Sequence, residues 1–105
     1  MPIGKDIQRQ IENALYDYDK LSNDNIFKKH INLALEYFKD RPHHFVMTDF
    51  YFIAKLPKYR FYLKEKFYQD LFKKIGFEKR QVFRIKKDII LRIVITLAID
   101  GFFEL

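Results

Sequence analysis

The residues best equipped for chemistry in this sequence are three histidines, His30, His43 and His44, with Asp40 close to the last two. An imidazole serves as a metal ligand or as a proton carrier near neutral pH, so a His/Asp cluster is weighed first. Adjacent residues on a helix point about 100° apart, which makes one metal hard to share between His43 and His44. His30 lies beside the apolar stripe of its own segment, where a polar residue held in the core is the simpler reading. His44 and Thr48 stand one helical turn apart and can touch. No metal site is expected from this set.

Other catalytic chemistry lacks its residues. There is no cysteine, which removes disulfides, thiolate ligands and thiol nucleophiles together. Ser22 is the single serine, and 3 Gly leave no glycine-rich phosphate loop. Asp17 and Asp19 are paired acids, but on different faces of a helix and next to a turn. The sequence therefore predicts a protein that is not an enzyme and carries no cofactor.

Aromatic residues interleave with basic ones in Lys58-Tyr59-Arg60-Phe61-Tyr62-Leu63-Lys64 and again through Tyr68. Single-strand binders use such pairs to stack bases beside a cationic track. At helical spacing, however, these aromatics fall mostly away from the lysines, as core residues do. The net charge of +6 is uneven: residues 1–52 hold 7 basic and 8 acidic groups, and residues 53–105 hold 13 and 6. A basic half suits a nucleic-acid partner, and equally suits solvated lysines on helices with very apolar inner faces.

The elements that would position these residues are helical. Only 3 Gly and 3 Pro are present, too few for the turns of a sandwich or barrel. Periodicity predicts an all-α, single-domain antiparallel bundle of about five helices. The first runs from about Lys5 to Lys20 on a stripe of Ile7, Ile11, Ala14, Leu15 and Tyr18. Asp24 or Asn25 caps the second, about Ile26 to Asp40. Pro42 opens the third, which continues to about Leu56 and is apolar on most sides. The fourth spans about Lys58 to Ile75, with Gly76 as a left-handed C-cap. The fifth runs from about Glu78 to the end of the sequence.

The second half of that last helix, Ile89 to Ile99, is apolar nearly all round and broken only by Arg92 and Thr96. Its 11 residues fall short of the roughly 20 of a membrane span, and no signal-peptide core is present. A soluble, cytoplasmic protein with no membrane association is expected. A helix this apolar needs a partner on its far side, so a homodimer is predicted. Its interface is expected at Ile93, Val94, Leu97, Ala98, Gly101 and Phe102, where the small residues allow close approach.

Two segments resemble TetR-type transcription regulators. Leu35-Glu36-Tyr37-Phe38-Lys39-Asp40-Arg41-Pro42-His43-His44-Phe45-Val46-Met47 is similar to the family's junction where a long helix ends and a Pro opens a short apolar helix. Ile95-Thr96-Leu97-Ala98-Ile99-Asp100-Gly101-Phe102-Phe103-Glu104-Leu105 is similar to its penultimate helix, an apolar run ending in Asp-Gly. Tyr62 to Phe77 looks like the helix between them.

The resemblance covers about 26–105. It implies a regulatory core that encloses a small, hydrophobic effector and dimerises through its last helices. On that reading the pocket is lined by Tyr37, Phe45, Met47, Phe50, Tyr51, Tyr62, Phe67, Phe83 and Ile90. The sequence departs from the family in opening on one amphipathic helix and a turn over residues 1–25, and in ending one helix early. DNA would be met only through a helix-turn-helix head not present in this chain. The alternatives are a basic nucleic-acid-binding module acting through residues 55–92, and a structural helical protein pairing through residues 89–99.

Overall fold

A computed structural model of the chain describes residues 4–54, 66, 69, 73, 76 and 78–102. The first apolar stripe closes into α1 (Lys5–Tyr16), which buries Ile11, Ala14, Leu15 and Tyr16. The expected helix does not continue to Lys20. No glycine stands at its end to take a left-handed cap, and the chain tightens into a 3-10 turn at Tyr18–Lys20.

Asn25 starts α2 (Ile26–Tyr37). Its side-chain oxygen accepts from the backbone N–H groups of Phe27 at 2.9 Å and Lys28 at 3.2 Å, satisfying two donors that have no partner within the helix. Arg41 is extended, as the residue before a proline prefers, and Pro42 sits in the first turn of α3 (Pro42–Phe45).

Instead of continuing as an α-helix, the chain widens into a nine-residue π-helix, Val46–Ala54. The Thr48 hydroxyl sits 3.2 Å from the carbonyl oxygens of both His44 and Phe45. A side-chain donor there competes with the ordinary backbone bond and eases the change of pitch. The contact foreseen between His44 and Thr48 is thus made to the His44 backbone.

The last helix, α4 (Lys79–Ile99), opens with a capping box. The Glu78 N–H donates to the Gln81 side chain at 2.7 Å, and the Glu78 carboxylate accepts in return from the backbone at position 81. It stops at Ile99 rather than running on through Gly101 as expected, because Gly101 turns to φ +80°, with the Phe102 N–H bonded to the Leu97 carbonyl and the Gly101 N–H to the Ala98 carbonyl. This pair of bonds is the Schellman arrangement, which needs a residue tolerant of positive φ.

The described residues form an all-α fold of four helices, counting α3 with its π extension as one, rather than five. The expected helix over residues 58–75 lies largely outside the described residues, although Lys66, Gln69 and Lys73 are helical and Gly76 has φ +72°. Within the described residues no strand occurs.

Helix α4 is the central element. It contributes Val82, Ile85, Ile89, Ile90, Ile93, Val94 and Leu97 to one core with Ile11, Leu15, Ile31, Ala34, Val46, Met47, Phe50 and Tyr51. Each Val, Leu, Ile, Met or Phe among these adds roughly 1.5–3 kcal/mol on burial. α4 runs antiparallel to α2: Phe27 meets Phe102, His30 meets Thr96, and Tyr37 meets Arg92.

The two cap candidates at the second helix are now distinguishable. Asn25→Ala should cost about 1 kcal/mol, seen as a fall of roughly 4–8 °C in Tm. Asp24→Ala should leave Tm nearly unchanged.

Candidate functional site

The seam between α2 and α4 is closed by a polar network centred on His30, the only polar residue in the described core and 1% exposed, whose partners Asp100 and Lys29 lie at the solvent edge. Its Nε2 lies 2.8 Å from Oδ2 of Asp100, and its Nδ1 lies 2.9 Å from Oγ1 of Thr96. Thr96 and Asp100 stand one helical turn apart and so reach the same ring. The Lys29 ammonium donates to the same Asp100 oxygen at 3.0 Å.

A carboxylate only accepts, so Nε2 carries a proton and donates to Asp100. Thr96 Oγ1 also lies 3.1 Å from the Ile93 carbonyl oxygen. With a neutral ring the hydroxyl donates to Nδ1; with an imidazolium it turns to Ile93 and accepts from Nδ1–H. Either charge state leaves the ring fully bonded. The bonds from Lys29, and then from His30, hold the Asp100 carboxyl below its ordinary pKa.

An imidazole oriented by a carboxylate is a familiar general base, but a working base needs a nitrogen within reach of its substrate. Both nitrogens of His30 are used and its ring is sealed from solvent. The arrangement pins α2 to the end of α4. The sequence had marked His30 only as a polar residue beside an apolar stripe; its partners are 66 and 70 residues away.

His43 makes a second pin. Its ring stacks on Phe38 with centroids 4.5 Å apart, and its Nε2 meets Asp88 of α4 at 3.0 Å. Among the described residues, no group of three or more metal-ligating side chains comes together. No described helix is long and apolar enough to cross a membrane.

The residues expected to line a pocket separate into three sets. Met47, Phe50, Tyr51 and Ile90 are buried side by side in the core, with Phe45 partly buried against them. Tyr37 and Phe83 are instead exposed, at 47% and 44%. Tyr62 and Phe67 lie outside the described residues. Tyr37 was expected in the pocket only through the resemblance, and α2 presents its flank, not its inner face, at that position.

Three of the expected residues nevertheless share a neighbour. The Lys86 ammonium of α4 lies 4.4 Å from the Phe50 ring centroid, 5.7 Å from that of Tyr51 and 5.4 Å from that of Phe83. A cation against several aromatic faces gains from each ring quadrupole. The π-helix brings Phe50 and Tyr51 to it from one side, and α4 brings Phe83.

The expected dimer residues are also redistributed. Ile93, Val94 and Leu97 are consumed by the chain's own core, and Ala98 is half-buried. Phe102 packs edge-on against Phe27 at 5.4 Å. Gly101 lies past the end of α4, and a Cβ there would meet nothing within 4 Å, so the backbone and not close helix packing accounts for the glycine. Among the described residues near the C-terminal half, Leu91 and Ile99 on α4, Leu33 on α2 and, in part, Phe102 are left uncovered. Ile99, at 79%, is the most exposed of them.

Compared with protein-family models, curated proteins and solved structures, the chain matches none.

The Asp100 pin has a pH signature. Because the folded carboxyl titrates below its unfolded value, its contribution is complete above about pH 4 and fades as pH falls through the folded pKa. Asp100→Asn should therefore flatten the loss of Tm between neutral pH and the acid limb. Thermal unfolding of both proteins across that range, monitored by circular dichroism, measures the difference.

Proposed function

We propose that this chain is the sensing and dimerisation core of a TetR-type transcription regulator, working in the cytoplasm without catalysis. The observation that carries the reading is the division of α4 into an inner face that completes the core and an outer flank that keeps Leu91 and Ile99 exposed. Ile95 is half-buried on the same flank, and Leu33 of antiparallel α2 extends the apolar surface. A second copy related by a two-fold axis would cover these residues with their own equivalents.

The sensing half of the reading draws on the aromatic wall around Lys86. Phe83 offers a hydrophobic effector an exposed apolar face beside Lys86, with Phe50 and Tyr51 buried beneath that lysine, and the π-helix that carries them is a kind of backbone that recurs at functional sites. An effector bound there would touch both the π-helix and α4, the helix that presents the dimer surface. Ligand and dimer geometry would then be linked to the extent that one packing binds the effector better. DNA would be reached through a separate head joined to this core.

Native mass spectrometry of the purified chain at low micromolar concentration tests the proposal. The expected spectrum is a dimer, with added mass where a small molecule is retained. Ile99→Asp should shift the population to monomer while circular dichroism stays helical, since Ile99 is outside the core. A wild-type monomer without added mass would sink the reading.

A further inference from the structure

Tyr37 stands on the surface with two arginines over its ring. The Arg92 guanidinium carbon is 3.8 Å from the ring centroid and that of Arg41 is 5.4 Å away. Arg41 arrives from the turn before α3, and Arg92 from α4 across the seam. Two cations drawn to one phenol repel each other, and the ring face offsets part of that repulsion.

Neither arginine is ion-paired with a carboxylate among the described residues. The natural partner of Arg92 is Asp88, one helical turn before it, an arrangement that ordinarily gives a surface ion pair. Asp88 is bonded to His43 at 3.0 Å. The second pin of the fold thus takes up the acid that would have neutralised Arg92.

We propose that Arg41 and Arg92, gathered at the Tyr37 ring, form a phosphate-binding site. A guanidinium drawn to a ring face keeps its five N–H donors free of the ring, and those of Arg92 at 3.8 Å and Arg41 at 5.4 Å stay available to oxygen ligands. Tyr37 restricts both side chains, so less freedom is lost when an anion arrives. A planar carboxylate matches one guanidinium fork. A tetrahedral phosphate offers oxygens in several directions and can meet two forks from different elements. The phosphate belongs either to a small free ligand or to a nucleic-acid backbone. The site stands on geometry separate from the effector wall and does not rest on the regulator reading.

The test uses the full chain at low salt with two probes, inorganic pyrophosphate and a short fluorescein-labelled single-stranded DNA. Thermal unfolding follows the first and fluorescence anisotropy the second. Pyrophosphate should raise Tm in the wild type, and Arg41→Gln or Arg92→Gln should each weaken binding at least about tenfold, the value of a charge-assisted hydrogen bond. Arg→Lys at either position keeps the charge, loses the fork and should also weaken binding. If DNA binds and pyrophosphate does not, the phosphate is that of a strand, and each Gln variant should reduce the salt slope by roughly 0.7. Arg41 is exposed outside the core, so Arg41→Gln serves if the Arg92 variants lose helicity. Failure of the wild type to bind either probe, or binding that folded variants retain, would overturn the proposal.

Discussion

A buried imidazole must have both ring nitrogens bonded, since an unsatisfied buried polar group costs about 1–3 kcal/mol. His30 meets that condition only when α2 lies antiparallel to α4 with Thr96 and Asp100 on the facing side. A slip of one residue along α4 would turn both partners about 100° away. The network therefore sets register where a hydrophobic seam of similar aliphatic residues would tolerate sliding. His43 adds a link to Asp88 nearer the start of α4 through Nε2 alone, its Nδ1 being buried without a partner among the described residues, and the Phe27–Phe102 edge contact closes the opposite end.

With that register set, α4 becomes the spine of the domain. Seven of its apolar residues face α1, α2 and the π-helix, and the rest cannot turn inward at the same time. Ile99 and Leu91 stay outside because the core directions of the helix are already filled. The Schellman end, with Gly101 in the left-handed region, lets the chain reverse and places Phe102 against Phe27. The end of α4 is thus held by backbone bonds, by the His30 network and by an aromatic contact together.

The π-helix changes which aromatics meet. Widening the repeat over Val46–Ala54 lets Phe50 and Tyr51, adjacent in sequence, both be buried while lying near Lys86. Tyr51 also packs on Tyr16 of α1 at 4.8 Å, and Phe52 stacks on Tyr18 at 4.4 Å. Three consecutive aromatics therefore bind this segment on two sides, which an ordinary α-helical repeat spreads differently. Lys86 rests on the Phe50 and Tyr51 rings, and Arg92 rests on Tyr37 of α2, rather than standing free in solvent.

Much of the local structure was legible in the residues. Asn25, Pro42 and the apolar stripes mark where helices start and which way they face, because capping, proline geometry and periodicity act within one or two turns; the stop at Gly101, expected inside the last helix, was not legible in this way. The same locality explains what sequence alone left open. The partners of His30 come from far along the chain, and the pairing of Asp88 with His43 rather than Arg92 depends on how α3 meets α4. Periodicity says that a side is apolar without saying which neighbour covers it. So Ile93, Val94 and Leu97 were read as interface and proved to be core, while Tyr37 was read as interior and stands outside. Only the packing of whole helices, competing for one limited core, decides which apolar face is buried and which charge is left unpaired.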